Sequence, residues 1–122
     1  MGNLYRYTEP VVLLSLARLG AAHGYQIAQE AETLAVTRAG LDGPAIYRTL
    51  RRLEATGRVT SAWETGGGGP ARRVYELTPA GRQHLGEWML LLQDVAASLG
   101  NLITQGRQVL GRAGEQDQKG GT

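Results

Sequence analysis

At Gly57 the spacing of apolar residues changes, and this change limits the folds open to the chain more than any other feature. Upstream, Ile46, Leu50 and Leu53 recur at four and three residues, the period of one helix face. Downstream, Arg58–Glu64 and Arg72–Leu77 are short, rich in β-branched and aromatic residues, and read as strands. Between them Gly66-Gly67-Gly68-Gly69-Pro70 can continue neither a strand nor a helix, so it predicts a mobile hairpin tip. With 122 residues the chain has room for one modest core, which the helices and the hairpin must share.

The helices follow from their start and stop signals. Thr8 reads as the N-cap of the first, with Glu9 near its positive end, Pro10 in its first turn and Gly20 ending it. Val11, Val12, Leu13, Leu14, Leu16, Ala17 and Leu19 predict burial around most of its circumference. A second helix is predicted from Gly24 to about Ala35, with Ile27, Ala31 and Leu34 on one face. In the third, Asp42 caps, Gly43 and Pro44 take the first positions and Gly57 follows the last turn. Thr78-Pro79 is another cap followed by an N1 proline, and opens a long helix to about Thr104. The predicted fold is mainly α with a small β-hairpin: a winged helix-turn-helix plus a long C-terminal dimerisation helix. Its divisions are residues 1–78, a winged-helix DNA-binding domain; 79–110, the dimerisation helix; and 111–122, a polar tail expected to be disordered.

Charge distribution points to the partner. Between Arg38 and Arg82 eight arginines face four acids, a net +4, whereas the rest of the chain is net −2. Arginine's planar fork suits phosphates and guanine edges; a GC-rich genome that encodes Arg in place of Lys would give the same composition. The third helix turns Ile46, Leu50 and Leu53 inward and leaves Pro44, Ala45, Arg48, Arg51 and Arg52 on the opposite arc, with Tyr47 on the flank. Such an arc fits a major groove: Arg48 is placed for a base or phosphate, and Arg51 and Arg52, a turn later, for phosphate. The competing reading is a solvated charged face. Arg72 and Arg73 at the base of a glycine-tipped hairpin favour the groove, since they can reach phosphates or a narrow minor groove.

Three segments, His23-Gly24-Tyr25, Ile46 to Glu54 ending at Gly57, and Gly69 to Gly81, resemble the PadR family of transcriptional regulators, in order and at suitable spacing over roughly Tyr7 to Leu85. The resemblance implies a winged-helix dimer that binds operator DNA, usually as a repressor released by a small ligand or stress signal. Pro44 and Ala45 stand where the family often has Gly and Thr or Ser, and Arg48 where many members have Pro.

The last helix carries Leu85, Trp88, Leu92, Val95, Leu99 and Leu102 at alternating spacings of three and four, an a/d heptad pattern widened by Met89, Ala96 and Ile103. This stripe needs more cover than one small domain gives, so a homodimer is expected; the alternative is packing on the chain's own first helix. Trp88 is read as core, or as the wall of an effector pocket at the dimer interface. Trp63 is read as core, His23 as a turn residue, and His84 as structural or solvated.

Without Cys there are no disulfides or thiolate sites, and two histidines without a paired motif predict no metal site. No nucleophile–base set and no phosphate-binding P-loop occur, so neither an enzyme nor a cofactor is expected. Met1 to Arg6 leads into no signal-type run, and the longest apolar stretch, Val11–Leu14, is too short for a bilayer, so a cytoplasmic protein without a membrane partner is expected. Two functions fit: a dimeric regulator reading an inverted repeat in double-stranded DNA, and a winged-helix interaction module binding an acidic protein.

Overall fold

A computed structural model describes residues 7–34 and 42–120. Four helices and three short strands follow the order α1 (Thr8–Leu19), β1 (Ala22–His23), α2 (Gly24–Leu34), α3 (Gly43–Ala55), β2 (Val59–Glu64), β3 (Arg72–Leu77) and α4 (Pro79–Gly120). This is a winged helix-turn-helix followed by a long C-terminal helix. By internal contacts the chain divides into Met1–Glu87 and Trp88–Thr122, so α4 begins in the first unit and forms the second.

The core of the first unit is built from the residues whose spacing announced it. Val11, Val12, Leu13 and Leu16 of α1 are buried with Ile27 and Ala31 of α2, and Ile46, Leu50 and Leu53 of α3. Each such leucine stabilises the fold by about 1.5–3 kcal/mol through burial. Ser15, also buried, satisfies its hydroxyl by donating to the Val11 carbonyl at 2.7 Å. The first helix starts one residue away from expectation. Tyr7 occupies the N-cap without a side-chain cap bond, and Thr8 is a buried helical residue.

The sheet has three strands, not the two of a simple hairpin. Its order is β1-β3-β2, all antiparallel, with Ala22 opposite Tyr75 and His23 opposite Val74. His23 is therefore a strand residue, where a turn was expected. Two residues are too few for alternation to register as a strand, and only pairing with β3 defines it. Between β2 and β3 the register runs from Val59 opposite Leu77 to Glu64 opposite Arg72, leaving the residues from Thr65 to Ala71 as the connection.

The junction of α3, the wing and α4 is fixed by hydrogen bonds. Gly57 adopts φ +77°, which lets its N–H donate to the Glu54 carbonyl at 3.1 Å and Arg58 N–H to Leu53 at 2.9 Å. The Thr78 hydroxyl donates to the Gly57 carbonyl at 2.7 Å and accepts from Gly81 N–H at 3.0 Å. One side chain thus caps α4 and ties it to the exit of α3.

Within α4 the stripe from Leu85 to Leu102 does not mark the end of the helix. The backbone stays helical to Gly120, beyond Thr104 and through most of the segment expected to be a disordered tail. Once its first turns are set, a helix gains one backbone hydrogen bond for each residue added, so the end of an apolar stripe does not by itself end the helix. Leu85, Trp88, Leu92 and Val95 are half-buried, while Leu99 and Leu102 are 51% and 67% exposed. Val109 and Leu110, also exposed, continue the same stripe. The expected end of α2 at Ala35, and Arg38, lie outside the described residues. No helix among the described residues is long and apolar enough to cross a membrane.

Candidate nucleic-acid interface

The outer face of α3 is set by its first turn. The Asp42 carboxylate accepts from Ala45 N–H at 2.8 Å, and Pro44 sits where its missing N–H removes no bond. With that start fixed, Ala45, Ile46, Thr49, Leu50 and Leu53 turn inward, and Pro44, Tyr47, Arg48, Arg51 and Arg52 are exposed. This corrects the expectation for Ala45. It is only 5% exposed, because a residue one before Ile46 and four before Thr49 shares their side of the helix. It offers no surface to DNA.

The arginines divide into two groups. Among the described residues neither Arg48 nor Arg51 has an acidic partner, and both stand in solvent. Arg52 instead turns towards α1 and pairs with Glu9 at 3.2 Å. Glu9 is largely buried and also meets His84 Nε2 of α4; Nδ1 of the same imidazole lies 3.5 Å from Glu87. Arg52 is thereby part of a link between α1, α3 and the first turns of α4.

On the wing the same division recurs. Arg73 donates through Nε to the Ser61 hydroxyl at 2.8 Å and through Nη2 to Glu54 at 3.3 Å, while Ser61 in turn donates to Glu54. Its guanidinium also lies 5.5 Å from the ring centre of Trp63, the residue opposite it across the strands. Arg73 therefore fastens the wing to the last turn of α3. Trp63, expected in the core, is 61% exposed. Its strand parity matches that of the buried Val59, but it lies near the far end of β2 and finds Arg73 as its neighbour. Arg72 makes no ion pair among the described residues and donates to Nε2 of His23 at 3.3 Å.

These residues surround a cleft of about 320 Å³ lined by His23, Gly24, Tyr25, Tyr47, Arg72, Arg73 and Tyr75. The rings of His23 and Tyr25 stack at 6.5 Å with 24° between planes. Tyr47 lies directly on Gly24, where even a methyl group would overlap its phenol ring. Burial pushes the Tyr75 phenol above its ordinary range, with Arg73 opposing the shift. Sequence reasoning placed Tyr47, Arg72 and Arg73 near DNA but did not bring His23 and Tyr25 beside them. The signal was the His23-Gly24-Tyr25 segment itself, whose small central residue admits a ring from another helix. No group of three or more His, Asp or Glu among the described residues could hold a metal ion.

The PadR-like family model of transcriptional regulators matches residues 12–87, the span that contains α3, the wing and the whole cleft lining. No curated protein sequence matches the chain. Among solved structures, a PadR family transcriptional regulator of Eggerthella lenta is 29% identical, with a TM-score of 0.64 over 83% of this chain and 86% of that one. A PadR-like regulator of Bacillus cereus has the same fold at 20% identity, with a TM-score of 0.69 over 84% and 97% of the two chains. Bacillus subtilis PadR, solved in complex with operator DNA, is 26% identical, with a TM-score of 0.59 over 69% of this chain. The match spans 47% of that longer protein. With the family model covering most of the chain and the winged helix in place, the protein belongs to the PadR-like family of transcriptional regulators.

Proposed function

We propose that the protein is a cytoplasmic, sequence-specific DNA-binding regulator that acts as a homodimeric repressor and is released by a small ligand or stress signal. The observation that carries the DNA reading is the outer face of α3, where Arg48 and Arg51 stand exposed without an acidic partner among the described residues. The complex of Bacillus subtilis PadR with operator DNA supports it. A major groove admits one helix, whose N-terminal residues reach base edges while its flanks meet phosphates. Arg48, with Pro44 nearer the helix start, reads bases. Arg51, Tyr47 and the wing residue Arg72 hold the backbone. Arg52 and Arg73 act from behind this surface, Arg52 through Glu9 and Arg73 through Glu54.

Dimerisation falls to α4. The exposed Leu99, Leu102 and Ile103 extend the stripe begun by Leu85, Trp88, Leu92 and Val95, Val109 resumes it after Gly106, and an apolar seam of this length is what a second copy covers. Trp88, half-buried on that stripe, is the aromatic wall for an effector between the two copies.

Arg48→Ala and Arg51→Ala separate base reading from backbone contact. Against its selected operator, Arg48→Ala should lose about 1–3 kcal/mol per contacted base pair and relax preference at symmetric positions. Arg51→Ala should weaken operator and scrambled duplex alike. Equal losses on both duplexes for Arg48→Ala would move Arg48 to the backbone set. Unchanged binding in both variants would remove α3 from the interface and favour an acidic protein partner.

A further inference from the structure

The cleft between α2, α3 and β3 has a composition that a surface hollow does not acquire by default. Its lining combines three tyrosines, a histidine and two arginines, and contains no carboxylate. Glu54, the acid that meets Arg73, is already engaged by Arg73 and Ser61, and Glu64, opposite Arg72 across the strands, forms no ion pair with it. That leaves Arg72 as the cation available to an incoming anion, and His23 Nε2, 3.3 Å away, holds its guanidinium at the edge of the cleft. The remainder of the wall is largely ring carbon from Tyr25, Tyr47 and Tyr75. A site with one anion-binding end and an apolar body suits a group that is itself half charged and half carbon.

We propose that this cleft seats one sugar–phosphate unit of the DNA backbone, with the phosphate on Arg72 and the deoxyribose against the rings of Tyr25 and Tyr47. The proposal rests on the DNA-binding reading above and adds His23, Gly24 and Tyr25 to the surface that meets DNA. Position argues for a backbone unit over a free anion. The cleft lies between the recognition helix and the wing strand, where a backbone beside an occupied groove must pass. Size agrees, since about 320 Å³ exceeds what a phosphate alone would fill yet sits at the small end of ligand sites. Each residue has one role. Arg72 supplies the charge, and His23 is a positioning residue that orients it. Tyr25 covers the sugar, and Gly24 gives Tyr47 room to lie flat against the floor. Contacts of this kind carry no sequence information, so they fix register and add affinity on every duplex alike.

The test needs no knowledge of the operator. Binding of the full-length protein to a random-sequence duplex is followed by fluorescence anisotropy over a series of salt concentrations. Arg72→Ala should weaken binding and flatten the salt slope by roughly one unit for each cleft engaged. Tyr25→Ala removes a largely exposed ring, and should weaken binding about three- to tenfold with the slope unchanged. Tyr25→Phe, which keeps the ring, should bind like the wild type. Wild-type affinity and slope in both alanine variants would overturn the proposal while leaving DNA binding intact. Failure of the wild type to bind duplex in a salt-dependent way would overturn the DNA reading as well. Thymidine 5′-monophosphate serves as a second probe. If it binds the wild type and neither alanine variant, while both variants bind duplex normally, the cleft is a site for free nucleotides and the backbone assignment fails.

Discussion

Arg73 and Arg72 are adjacent in sequence and equally charged, yet their surroundings give them different work. Arg73 has Ser61, Glu54 and the Trp63 ring around it, whereas among the described residues Arg72 bonds to an imidazole nitrogen and makes no ion pair. Beside Arg73, Tyr75 offers a direct test of the packing. Because burial raises its phenol above the ordinary 10.0, the folded chain holds that proton more tightly than the unfolded chain. This contribution to stability is fully present below pH 10.0 and is lost as pH rises through the raised folded value. Urea titrations across that alkaline window should therefore show wild-type stability falling faster than that of Tyr75→Phe. Parallel curves would mean that Tyr75 is not buried as described. At this scale the sequence was legible where a residue's role follows from helical or strand period, as for Ile46, Leu50 and Leu53. It was illegible where a role depends on which partner arrives from elsewhere. Trp63 was expected in the core because large aromatics are usually buried, but its strand outruns the body that would cover it. Arg52 and Glu9 are distant in sequence, and no periodicity announces their pairing.

Among the elements, the wing shows how a recognition surface is held in place. The β2–β3 register sets Trp63 opposite Arg73 and Ser61 opposite Tyr75, and the Glu54 carboxylate of α3 gathers both Ser61 and Arg73. Removing Arg73 should therefore loosen the hinge between α3 and the wing, whereas removing Arg72 should remove a contact with DNA. Amide hydrogen exchange of the free protein distinguishes them. Exchange in β2 and β3 should accelerate in Arg73→Ala and remain at the wild-type rate in Arg72→Ala. Equal acceleration in the two variants would contradict the division of roles. The three helices of the first unit and both long strands were readable as elements because glycines and apolar spacing agreed. The cap of α1 and the start of β2 each lie one residue from expectation, and the expected end of α2 lies outside the described residues. Strand β1 was not, since two residues carry no pattern, and the end of α4 was not, since a helix can outlast its apolar stripe.

For the whole molecule, recognition of DNA is proposed to be two-fold. The seam on α4 should make the intact protein a dimer at micromolar concentration in sedimentation analysis, and Leu99→Glu with Leu102→Glu should shift it to monomer. A monodisperse wild-type monomer would remove the dimer from this account. If two copies of α3 face DNA about a two-fold axis, the bound sequence must share that symmetry, with half-sites about one helical turn apart or a multiple of it. Selection of binding sites by the wild-type protein from a random duplex pool, repeated at two salt concentrations, tests that claim most directly. The account predicts enrichment of an inverted repeat of that spacing, bound less tightly as salt rises. A pool that emerges without a symmetric motif, or binding indifferent to salt, would contradict it.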